Sequence, residues 1–162
     1  MRQAGEYGVT RFFPIRIVVM SALAGTAILL HLTSSTSAQI LKPEDPNIVA
    51  LGKQVYATNC ASCHGTNLEG APNWKLPDTD GLFPAPPHDE TGHTWHHSEK
   101  LLFDLTKYGL AKAAGLKDRK SNMPVYENVL SDEEIIAVLS FIKSRWPEEI
   151  KRRHTKMSAR EQ

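Results

Sequence analysis

The chain has 162 residues with nearly balanced charge, +1 overall, and removing the first 38 residues leaves 16 basic and 17 acidic side chains, about −1. Such a balance excludes a general nucleic-acid binder. Two cysteines, both within one five-residue run, are too few for a disulfide framework or for a structural zinc site built from paired cysteines.

The chain opens on Arg2, Arg11 and Arg16, followed by an apolar run from Ile17 to Leu32 and then Thr33, Ser34, Ser35, Thr36, Ser37 and Ala38. A positive start, an apolar centre and small residues are the order of a secretory signal, and Thr36 and Ala38 place its cleavage before Gln39. A spanning helix needs about 20 apolar residues. Counting back to Phe12 with Arg16 snorkelling, residues 12–32 also suit an uncleaved anchor. Both readings leave the basic residues inside and the rest of the chain outside the membrane. Residues 1–38 are thus a signal or anchor, and residues 39–46, with Pro43 and Pro46, read as a linker.

About 115 residues remain, enough for one small domain. Asn47 is a suitable N-cap for a helix over 48–58. Val49, Gly52 and Tyr56 share one face of it, and Gly52 would admit a second helix closely. After it comes Cys60-Ala61-Ser62-Cys63-His64. Two thiols three positions apart can each add to one vinyl group on the same edge of a haem, and the adjacent imidazole is then aimed at the iron. A thioredoxin-type dithiol is the rival reading, but it wants a βαβ setting that is not visible.

Residues 65–97 are proline-rich and hold His88, His93, His96 and His97 with Asp89 and Glu90. Three readings stay open for them: a stiffened loop over a haem edge with Trp95 and a histidine donating to the propionates, a second metal or alternative iron ligand, or solvated loop residues. Ser98 then caps a helix carrying Leu101, Leu102, Leu105 and Tyr108, with Gly109 ending it. Lys107, Lys112, Lys117, Arg119 and Lys120 follow as a basic cluster, either a rim that steers acidic redox partners or a solvated surface. Met123 stands before Pro124, which keeps it out of helical geometry. Ser131-Asp132-Glu133-Glu134 forms a capping box opening a helix with Ile135, Val138, Leu139 and Ile142 as its stripe, and Pro147 stops it. Residues 148–162 read as a basic, disordered tail that could rest on anionic lipid.

Residues 47–147 resemble a class I c-type cytochrome of the bacterial monohaem type, through Gly52, Tyr56, the Cys60-x-x-Cys63-His64 run, Gly65 and Met123-Pro124. The resemblance implies an all-α fold around one covalent haem c, in which Gly52 and Tyr56 meet Leu139 and Ile142 where the first and last helices cross. It implies covalent attachment through Cys60 and Cys63, His64 as proximal iron ligand and Met123 as distal ligand. It also implies a proline carbonyl accepting from His64, with Pro72 the candidate and Pro77 its competitor. A single-electron carrier in a periplasmic or respiratory chain follows, with redox proteins, among them a membrane respiratory complex, as partners and no nucleic acid. The alternatives are a haem enzyme or sensor with a labile distal ligand, and a haem subunit of a larger oxidase or dehydrogenase.

Overall fold

The structure, a computed structural model, describes residues 1, 8, 39–116 and 119–161. The expected signal or anchor over 1–38 lies, apart from Met1 and Gly8, outside the described residues. Among the described residues no helix is long and apolar enough to cross a membrane.

The described residues hold α-helices, one short 3-10 turn and no strand, as the all-α expectation required. The first helix, α1 (Pro46–Asn59), starts two residues earlier than expected. Asp45 caps it in place of Asn47, its carboxylate accepting from the Asn47 and Ile48 amides at 2.9 and 3.2 Å. Pro46 then occupies the first helical position, where its missing N–H costs nothing. A single turn, α2 (Ala61–His64), follows. After a long irregular segment containing the 3-10 turn Thr94–His96 comes α3 (Glu99–Ala113), capped by Ser98 as expected. Gly109 does break its geometry, with φ 79°, but the chain resumes for one further turn beyond it. A side chain at Gly109 would press on Val125, so the kink seats the segment that leads to the last core helix.

That helix, α4 (Asp132–Ser144), opens on the expected capping box: Ser131 Oγ accepts from the Glu134 amide at 3.2 Å, and the Glu134 carboxylate accepts from the Ser131 amide at 2.8 Å. Ile135, Val138, Leu139 and Ile142 are all buried, the most exposed at 5%. Each such side chain stabilises by about 1.5–3 kcal/mol, and together with Val55, Tyr56, Leu102 and Trp146 they form the core.

The crossing of α1 with α4 is the main helix pairing. Its close point differs in detail from expectation. A side chain on Gly52 would collide with the Ala137 carbonyl and with Phe141, and the Tyr56 and Phe141 rings lie 5.5 Å apart. Ala137 and Phe141 are thus the α4 residues nearest Gly52, while Leu139 and Ile142 share the buried core with Tyr56.

Two segments expected to lie outside the fold are built into it. The stretch over 39–46 is no free linker: Leu41 is buried, its amide and that of Ile40 donate to Glu99 Oε2 at 3.1 and 2.8 Å, and the Lys42 amide donates to Ser140. The C-terminal residues form α5 (Glu148–Ser158), begun by Pro147. Glu148 and Glu149 sit in its first turn and Lys156 in its last, the arrangement the helix dipole favours. His154 and Ser158 turn inward.

Candidate haem attachment site

Cys60 closes α1 and opens α2, so both thiols ride on consecutive helical turns. The Cys63 and His64 amides donate to the Cys60 carbonyl at 3.1 and 2.9 Å. Gly65 ends the turn with φ 81°, a conformation that favours glycine. From below, Tyr56 Oη donates to the carbonyls of Gly65 at 2.8 Å and His64 at 3.3 Å. Both thiols are free. Burial, with Cys63 beside it, pushes the Cys60 thiol up to about 11. That direction is the opposite of the stabilised thiolate of a redox dithiol.

His64 is buried, and its Nδ1 lies 2.8 Å from the Pro86 carbonyl. A carbonyl only accepts, so the proton is on Nδ1 and the Nε2 lone pair is left for a metal. Burial lowers the His64 pKa, opposed by that hydrogen bond. Pro86 replaces the expected Pro72, which is exposed. The reason is the path of the chain. The Ala71 amide donates to the Ala85 carbonyl at 2.8 Å, and a side chain on Gly70 would strike Pro86 and Pro87. Residues 72–84 thus loop out, and the chain returns with Pro86 against the imidazole.

His88 comes next. Its ring stacks on that of His64 with centroids 4.0 Å apart and planes 21° apart, and its Nδ1 lies 2.8 Å from Thr94 Oγ1. Burial, then the neighbouring His64 and His93, lower its pKa well below the ordinary histidine value.

The other histidines of the segment go elsewhere. His93 stacks on Trp74, His96 stacks on Trp95, and His97 receives the His154 Nε2 hydrogen at 2.9 Å through its carbonyl. Among the described residues no three His, Cys, Asp or Glu side chains are grouped to hold a metal ion. The Trp95 indole N–H donates to the Glu90 carbonyl at 3.3 Å, and Arg153 lies over its ring.

Met123 lies in the loop between α3 and α4, 38% exposed, with its amide donating to Ser121 Oγ at 3.1 Å. Tyr126, three residues on, donates from Oη to the Asn59 carbonyl at 2.7 Å, and its amide donates to Thr106. The segment leaving Met123 is thereby tied to the residue preceding Cys60. In the basic cluster, Lys107 pairs with Asp132 at 2.6 Å and Lys112 with Glu127 at 3.8 Å. Two of the five residues of the expected rim are therefore paired within the chain, and Lys117 lies outside the described residues.

The placement of Pro86 and of the candidate His88 against His64 was not foreseen from sequence, nor was the role of Tyr126. The run Pro86-Pro87-His88 was an available signal for the first two, as a histidine fixed directly behind two rigid residues.

A family profile described as Cytochrome c matches residues 49–146. Among curated proteins, the chain is 31% identical to the Cbb3-type cytochrome c oxidase subunit FixP of Bradyrhizobium sp. (strain ORS 278), over 70% of this chain and 36% of that subunit. It is 40% identical to the FixP subunit of Rhizobium meliloti (strain 1021) over 28% of this chain and 17% of that subunit. It is 30% identical to Cytochrome c6 of Tetradesmus obliquus over 58% of this chain and 86% of that protein. The chain thus spans about a third or less of the FixP subunits it matches. No solved structure matches it.

Proposed function

From its membership of the cytochrome c family, which binds haem c covalently, we propose that this chain is a monohaem single-electron carrier acting outside the cytoplasmic membrane in a respiratory chain. The observation that carries the reading is the Nδ1–H of His64 on the Pro86 carbonyl beside two free thiols. That donor set fits a haem that Cys60 and Cys63 would hold by thioethers, with His64 Nε2 and Met123 Sδ as the atoms that would ligate its iron.

A haem bound there supplies a one-electron ferric–ferrous couple. The chain's own residues set the terms of that couple. Cys60 and Cys63 prevent loss of the group. Pro86 holds the proton on Nδ1, which makes Nε2 a better donor. The Met123 thioether favours the ferrous state and raises the potential. Two protein ligands leave no position for a substrate, which is what distinguishes a carrier from a haem enzyme. Electrons pass to and from redox proteins, one of them a membrane respiratory complex, and residues 12–32 provide membrane attachment where they are kept. A second reading, a subunit of a larger oxidase, is favoured by the likeness to the FixP subunits.

Carbon monoxide titration of the reduced protein tests the carrier. The wild type takes up none, and Met123→Ala takes it up readily, loses the weak iron–sulfur charge-transfer band and has a lower potential. Each tenfold loss of preference for the reduced state is about 59 mV. Uptake by the reduced wild type would contradict the carrier reading and reopen the haem enzyme or sensor.

A further inference from the structure

We propose that His88 is a positioning residue that fixes the plane of the His64 imidazole, and so the orientation in which His64 presents itself to the iron. The inference rests on the reading of His64 as an axial ligand. The Pro86 carbonyl anchors only one atom of the His64 ring, at 2.8 Å. A hydrogen bond to a single atom still allows the ring to tilt, because a terminal sp³–sp² torsion is broad. The nearly parallel His88 ring, 4.0 Å away between centroids, lies against one face of His64 and blocks that motion. Tilting the His64 ring towards His88 would require His88 to move.

His88 is held so that it does not move. Its amide donates to the Leu68 carbonyl at 2.7 Å, and its carbonyl accepts from the Trp146 indole at 2.7 Å. Its Nδ1 meets Thr94 Oγ1 at 2.8 Å. Thr94 Oγ1 in turn donates to the Pro87 carbonyl at 3.4 Å, which leaves its lone pair to accept from His88 Nδ1–H. Pro87 fixes the backbone entering His88, and a side chain on Gly92 would collide with Pro87. Core, irregular segment and 3-10 turn thus converge on one imidazole. For a solvated loop histidine none of these attachments is required.

The ligand plane governs how the imidazole π orbital overlaps the iron d orbitals, and hence the magnetic anisotropy of low-spin ferric haem. The test compares three variants of the holoprotein, His88→Leu, His88→Phe and Thr94→Val, by the hyperfine-shifted haem methyl resonances of the ferric form and by the reduction potential at one pH. His88→Leu removes the flat ring and is expected to reorder or compress the methyl shifts. It is also expected to change the equilibrium constant for reduction at least threefold, about 30 mV for a one-electron couple. His88→Phe keeps a planar ring and restores the wild-type methyl pattern. A wild-type methyl pattern in His88→Leu, or the same altered pattern in both His88 variants, would overturn the proposal. If His88→Leu yields no holoprotein, Thr94→Val decides: released from its hydroxyl partner, His88 loosens and the methyl shifts move, whereas unchanged shifts overturn the proposal. Failure of His64 as ligand would show instead in the wild-type spectrum itself.

Discussion

Replacing Lys143 by methionine removes one half of an ion pair that the fold has taken almost wholly out of water. The Lys143 and Glu99 side chains are 1% and 0% exposed, with Nζ and Oε1 2.7 Å apart. Lys143 Nζ also donates to Thr155 on α5 at 3.0 Å, and Glu99 Oε2 accepts the Ile40 and Leu41 amides. Burial lowers the Lys143 pKa, opposed by its hydrogen bond to Glu99 and the charge of that carboxylate. In Lys143→Met the Glu99 carboxylate stays buried with two backbone donors and no cation. Breaking a buried pair from one side costs about 3–5 kcal/mol. With a urea slope of about 1.5 kcal/mol/M for a small domain, the midpoint of holoprotein unfolding should fall by about 2 M or more. The double variant Glu99→Gln/Lys143→Met leaves no buried charge, and the glutamine oxygen can still accept from an amide of 40–41. It should recover most of the loss. A Lys143→Met midpoint within about 0.5 M of wild type would refute the reasoning, because it would mean that the Glu99 charge is not confined.

The same clasp contains His154, buried with Nδ1 unpartnered and with its pKa pushed down to about 4 by burial and by Lys143. Its folded state keeps the ring neutral while the unfolded chain takes up a proton near pH 6.5. Stability is therefore present above pH 6.5 and lost as pH falls towards 4, by as much as ~3 kcal/mol, and His154→Gln should flatten urea midpoints measured across that window. Tyr126→Phe removes the 2.7 Å bond to the Asn59 carbonyl. It should cost about 1 kcal/mol in holoprotein unfolding, and no loss would mean that this tie is replaced by water.

The parts of the fold governed by short-range chemistry were legible in the sequence. Ser98 and Ser131 start helices because their hydroxyls satisfy amides within the next turn, and the period of Ile135, Val138, Leu139 and Ile142 marks a buried face whatever it packs against. Cys60, Cys63 and His64 were legible because their spacing is itself the chemistry. What escaped depends on long-range return of the chain. Pro86 replaces Pro72 at His64 because Gly70 and Ala71 pair with 85–87, a contact that no local pattern encodes. Glu99 and Lys143 are ordinary surface residue types, and only their meeting across α3 and α4 makes them interior. That meeting in turn draws in 39–42 and α5, which were read as linker and tail because their composition is polar. The terminal basic residues looked disordered, yet His154, Ser158 and Ile150 give α5 an inward face.

The central claim is that this chain carries one haem through Cys60, Cys63 and His64. Intact mass of the purified holoprotein, before and after acid-acetone extraction, tests it most directly when wild type and Cys63→Ala are compared. The wild type should gain one haem mass that survives extraction, with holoprotein yield strongly reduced in Cys63→Ala. Haem that extracts from the wild type, a mass of two haems, or undiminished covalent haem in Cys63→Ala would contradict it.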